Sequence, residues 1–125
     1  MMRKILAVVV GLVAWFAVAT VLDRLLRVAW PSYDRALPTY WFTLGMLFSR
    51  LAIGAVSTLA AGRVAAAIAR GHRATVAVLG ALLLAVFIPG HIRIWPHFPV
   101  WYHLVFLTSL VPVTLLGSGA RRARG

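Results

Sequence analysis

Four apolar runs, each about as long as a bilayer is thick, constrain this chain more than any other feature. A helix needs about 20 predominantly apolar residues to cross a hydrocarbon core of about 30 Å. The first run covers residues 5–28: Ile5 to Leu22 is unbroken, and the helix is expected to continue past Leu25, Leu26 and Val28 until Pro31 stops it. The second covers residues 40–62. It begins at Tyr40 and is interrupted only by Arg50, and its helix is expected to continue amphipathically past Arg63 towards Arg70 and to end at Gly71. The third, residues 75–94, is long enough only if it runs through Pro89 and Gly90, and the fourth, residues 100–116, contains Pro112 and stops at Gly117. Both prolines predict kinks of the kind membrane helices tolerate. The expected fold is all-α: a polytopic membrane protein whose residues 1–125 form one integral domain, an antiparallel four-transmembrane-helix bundle.

Composition narrows the chemistry. Hydrophobic residues make up 62% of the 125 and charged residues 12%, whereas a soluble domain carries roughly a quarter charged. There is no Glu, Asn, Gln or Cys, and the carboxylates are Asp23 and Asp34. Disulfides, thiolate chemistry and sulfur-ligated metals are therefore excluded. The net charge of +11 does not point to nucleic acid, because the basic residues sit in short clusters between apolar runs and not on one face interleaved with stacking aromatics.

Those clusters set an orientation. Arg3, Lys4, Arg63, Arg70, Arg73, Arg121, Arg122 and Arg124 fall at one end of the spans, and Arg24, Arg27, Arg35 and Arg93 at the other. The positive-inside rule then places both termini in the cytoplasm, for a protein of the bacterial inner membrane. Trp30, Tyr33, Tyr40, Trp41, Trp95, Trp101 and Tyr102 gather towards the outer side as an aromatic belt, with Trp15 the exception inside the first span. Met1 to Lys4 followed by an apolar run and Ala17-Val18-Ala19 has the look of a secretory signal. It is read as uncleaved, because the apolar run is longer than a signal core and continues past the supposed cut.

Arg50 is the most informative polar residue. It lies about ten residues into its span, roughly 15 Å deep, where a charge costs about 2.5–3.5 kcal/mol and normally meets a partner, a cavity or water. Met46, Leu47, Ile53, Gly54, Ser57, Thr58 and Ala61 share its helical face, while Phe48 and Leu59 point away. Two roles fit: a structural arginine that snorkels or caps carbonyls, and a binding residue for the anionic group of a substrate or lipid, with Ser57 and Thr58 beside it. Asp23 is the candidate counter-ion, either locally to Arg27 at i+4 or across the bundle to Arg50. Asp34, in the polar connector from Pro31 to Pro38, reads as a solvated turn residue.

Small residues recur at helix-contact spacing in Gly54-Thr58-Gly62, Ala77-Ala81-Ala85 and Ala7-Gly11. Such ridges let membrane helices approach closely, within the chain or in a homo-oligomer. His91, His97 and His103 are the one metal-like set, but their spacing matches no ligand motif and no carboxylate lies near in sequence, so neither metal nor haem is expected. His72 reads as a solvated loop residue. Ser49, Ser57 and Thr58 have no base on their side of the membrane, so no nucleophilic enzyme is expected either.

The stretch Pro99-Val100-Trp101-Tyr102-His103-Leu104 continuing to Pro112 and Gly117 resembles the last span of small uncharacterised bacterial four-span inner-membrane proteins. The resemblance extends in style over the whole chain and implies a lipid-embedded bundle without a catalytic signature. The chain lacks the membrane Glu of small multidrug transporters, the Asn of fluoride channels and the cysteines of quinone-linked disulfide oxidoreductases. Two functions stay open: an interaction or packing protein in the lipid bilayer, working with a membrane-protein partner or as a homo-oligomer, and a small oligomeric transporter or channel that uses Arg50 for an anionic substrate or lipid. A wholly filled interior would favour the first, and an interior cavity reached by Arg50, Ser57 and Thr58 the second.

Overall fold

A computed structural model describes residues 2–38, 42–70 and 72–122, with side chains described as far as residue 117. Tyr40, Trp41, Gly71 and Arg124 lie outside the described residues. Among the described residues every regular element is helical: α1 (Met2–Ala29), α2 (Pro31–Ala36), α3 (Leu44–Ile68), α4 (Arg73–Arg93) and α5 (Val100–Arg122), with a 3-10 turn at Trp95–His97. Four of these helices, α1, α3, α4 and α5, are long and apolar enough to cross a membrane.

The helix ends follow from local chemistry. A residue before proline is pushed out of the α region, and Trp30 accordingly leaves it, at φ −132° and ψ 84°, so α1 ends at Ala29. Pro31 then occupies the first turn of α2, where its missing N–H is not needed. The connector expected to be a loop is thus a short helix. Thr43 caps α3 by accepting from the Met46 N–H at 3.3 Å. At the other end α3 stops at Ile68, and the left-handed residue beyond it is Arg70, at φ 55°, rather than a glycine. His72 is not a free loop residue: its Nδ1 accepts from the Thr75 N–H at 3.3 Å and caps α4. α4 and α5 run on through Pro89 and Pro112.

α3 is the centre of the packing, with α1 on one side and α5 on the other, and α4 leans chiefly on α5. Beyond Met46 and Leu47, the buried face of α3 is made of Gly54, Ser57, Thr58, Ala61, Gly62, Ala65 and Ala66. With so little side chain on this face, the neighbouring backbones come close: a Cβ on Gly62 would strike the carbonyl of Thr114, and one on Gly117 would sit 2.5 Å from the carbonyl oxygen of Leu59. Ala7 and Gly11 are buried as well, with Gly11 against Leu79 and Ala65.

The Ala77-Ala81-Ala85 ridge corrects an expectation, since Ala81 and Ala85 are exposed and Ala77 is only half-buried. α4 packs inward through Val76, Leu79, Gly80 and Leu83 instead, and Gly80 lets α5 approach, a Cβ there lying 3.1 Å from the Val111 Cα. Small-residue spacing could not have made the distinction. Alanine and leucine are both apolar, so hydropathy by itself does not decide which stripe turns inward. The outward surface is large and hydrophobic: Val13, Leu25, Phe48, Ile92 and Leu104 are all exposed.

Candidate functional site

The polar side chains converge at one end of the bundle, where the last turns of α1 and α4 meet the first turns of α3 and α5. Arg50 stands there on α3. Its guanidinium lies 5.1 Å from the centre of the Phe42 ring and 5.4 Å from that of Phe98, so two aromatic faces offset part of its charge. Its Nε donates to the Tyr102 hydroxyl at 3.1 Å and its Nη1 to the Tyr33 hydroxyl at 3.0 Å. Tyr33, fully buried, in turn donates a hydrogen bond from its hydroxyl to Asp23 Oδ1 at 3.3 Å. Burial pushes the Tyr33 phenol above its ordinary value, with Arg50 beside it pulling the other way, so the hydroxyl stays protonated and able to donate.

Both expected partners of Asp23 are thereby corrected. Arg27 forms its ion pair with Asp34, Nε to Oδ1 at 2.6 Å, because α2 brings Asp34 back over the end of α1. Asp34 is correspondingly not a free turn residue, although both partners of the pair stand in the open, where such pairs add little to stability. Asp23 meets Arg50 only through the Tyr33 hydroxyl. Tyr33 and Tyr102, expected in the aromatic belt, lie 17 and 52 residues from Arg50 in sequence, separations without a helical periodicity to reveal them.

Ser57 and Thr58 are buried but turned to other work. Ser57 donates to the Ile53 carbonyl at 2.7 Å and Thr58 to that of Gly54 at 2.6 Å, each one turn back. Thr58 also accepts from the Trp15 indole at 2.9 Å, which explains how the one tryptophan inside the first span is satisfied there. Neither hydroxyl joins Arg50.

Beside Arg50 a cleft of about 630 Å³ separates α1 from α4 and α5. Its floor is aromatic, with Trp15 and Phe87 4.6 Å apart and Phe106 against Phe87 at 5.3 Å. Its upper walls are basic, adding Arg24, Arg27 and Arg93 to Arg50, and the carboxylate among the lining residues is Asp23. With Arg27 held by Asp34, Arg24, Arg50 and Arg93 face one Asp23. No hydrogen-bond or ion-pair partner takes up Arg50 Nη2 among the described residues, and Tyr102 donates its proton to none of them.

His91 and His103 meet on the far wall. Their Nδ1 atoms are 2.7 Å apart, both rings are buried, and the other nitrogen of His103 lies 3.3 Å from the Trp95 carbonyl. His103 stacks on Trp95 at 4.4 Å, and His91 packs on Phe106 at 4.8 Å and lines the cleft. His97 is exposed in the 3-10 turn, away from this pair. Among the described residues no group of three His, Asp or Glu side chains is placed to hold a metal ion. Compared with protein-family models, curated proteins and solved structures, the chain matches none.

Proposed function

We propose that this chain is a multi-pass protein of the bacterial inner membrane that binds an anionic amphiphile in the Arg50 cleft and performs no covalent chemistry. One observation carries the reading: Arg50 is held by two phenols and two aromatic rings, with no carboxylate upon it among the described residues, and opens on a cleft with excess positive charge. An anionic head group would supply the missing counter-charge. The aromatic floor would take the first part of an apolar tail, and the cleft's size lies within the usual range for ligand sites, about 300–1,000 Å³. A bundle serving only to pack against a partner would have had this space filled.

The spans are proposed to run antiparallel. Arg3 reaches the Ile68 carbonyl while Trp15 meets Thr58 and Tyr33 meets Arg50, so contacts descend α3 as they ascend the chain. The exposed apolar surface supports insertion in lipid. With both termini cytoplasmic, the cleft belongs to the outer leaflet. Reporter fusions check this directly: a periplasmic reporter is expected to be active after Arg35 and Arg93 and silent after Arg73 and Gly125, and the reverse pattern would overturn the orientation.

Binding is tested with short-chain lipids titrated into the detergent-solubilised chain and read by native mass spectrometry. One anionic phospholipid per chain should bind at least about tenfold more tightly than its phosphocholine counterpart, since one charge-assisted hydrogen bond contributes about 1.5–3 kcal/mol. Equal affinities would reject the anion site.

A further inference from the structure

The histidine pair specifies more than a negative charge. The Trp95 carbonyl can only accept, so the nitrogen facing it, His103 Nε2, carries the proton. In the neutral ring the Nδ1 of His103 is then a bare acceptor, and the hydrogen bond between the two Nδ1 atoms must be donated by His91. This leaves His91 Nε2 as an unprotonated lone pair on a residue that is 6% exposed and lines the cleft. Among the described residues no fully enclosed side-chain nitrogen lacks a partner, so this lone pair opens on the cleft, where a ligand's donor can reach it. Tyr102 ties this position to Arg50: its hydroxyl accepts from the Arg50 Nε at 3.1 Å, and its ring stacks with that of His91 at 6.1 Å.

A single acid group that satisfies both sites presents an anionic oxygen to Arg50 and a hydroxyl donor to His91. A carboxyl group can do one or the other, because losing its proton creates its charge. A phosphodiester has the charge and no proton. A phosphomonoester in its monoanionic form has both on one phosphorus. We infer that the cleft selects an amphiphile with a monoanionic phosphomonoester head group, its P–O⁻ bound by Arg50 and its P–OH donating to His91 Nε2. This rests on the anion-site reading above and adds the chemical class of the head group.

The test compares dioctanoyl phosphatidic acid with its methyl phosphodiester, and with inorganic phosphate, on the detergent-solubilised full chain. At about pH 5.5 the monoester should bind about tenfold more tightly than the diester. Between there and about pH 8 its affinity should fall at least about tenfold, as the second phosphate proton, with a pKa of about 6, is lost. The diester corrects for titration of the protein itself: Arg50 on α3, Tyr102 and His103 on α5, Arg93 on α4, and Asp23, Arg24, Arg27 and Tyr33 on α1 and α2 act on both ligands alike. Its affinity should change by less than about twofold over the same range.

The His91→Phe variant, which keeps a ring against Phe106, should bring the monoester down to the affinity of the diester. The wild-type comparison stands even where that variant does not fold. Equal affinities, or parallel pH profiles for the two lipids, overturn the inference. Inorganic phosphate binding as tightly as phosphatidic acid would keep the protic-anion selection and reject the amphiphile. Failure of both lipids to bind removes the anion site and this inference with it.

Discussion

Replacing Arg50 by Leu should lower the affinity for an anionic short-chain lipid about a hundredfold, corresponding to roughly 3 kcal/mol, while the helices stay assembled. The loss is that large because a guanidinium pinned through Nε and Nη1 meets the head group without rearranging. The rim arginines set the floor of the residual affinity. Arg50→Lys should not restore binding, since an ammonium cannot reach two phenols and a ligand in one plane. Unchanged affinity in Arg50→Leu would show that the cleft charge lies at the rim alone.

Stability measurements on the same variants separate the two counter-ion routes. The Arg50 and Tyr33 hydroxyl pair should show a coupling of about 1 kcal/mol in a double-mutant cycle with Tyr33→Phe. The cycle with Asp23→Asn should show less, about 0.5 kcal/mol, because the carboxylate acts through the phenol. A stronger coupling to Asp23 than to Tyr33 would restore the direct bridge.

The second large effect is structural. Gly62→Ala should destabilise the detergent-solubilised chain by about 3 kcal/mol, at the upper end for overpacking, because the new methyl group meets the backbone carbonyl of Thr114, and α3 and α5 must separate to admit it. A flexible side chain could have moved aside. Gly117→Ala, facing the Leu59 carbonyl, should behave similarly. Gly90→Ala is the internal control: nothing lies within 4 Å of its added Cβ, and alanine favours the helix by about 0.5–1 kcal/mol. Thermal unfolding of the three variants in one detergent checks the ordering. A Gly62→Ala protein as stable as wild type would mean that the α3–α5 seam is looser than the close approach of its backbones implies.

The number of long helices and their rough limits were legible from hydropathy. Apolarity summed over a turn-by-turn window is a local property, and Pro31 punctuates it locally; the expected stop at Gly117 is corrected, because α5 continues to Arg122. The inward face of α3 was legible too, because Arg50, Gly54, Ser57 and Thr58 recur at three and four residues, which places the charge on the same side of the helix as the small and polar residues. The partners were not. Whether Asp23 reaches Arg27, Arg50 or Tyr33 depends on how α2 folds back, a matter of a few ångströms between residues with no periodic relation. The inward stripe of α4 escaped for a different reason. Alanine and leucine are both apolar, so hydropathy does not sort them, and the rotation of a helix about its axis is decided by which backbones can touch, here Gly80 on Val111. The histidine pair belongs to the same class: two imidazoles twelve residues apart become one hydrogen-bonded unit only when α4 and α5 have docked, and the bare nitrogen that remains is set by the Trp95 carbonyl behind them.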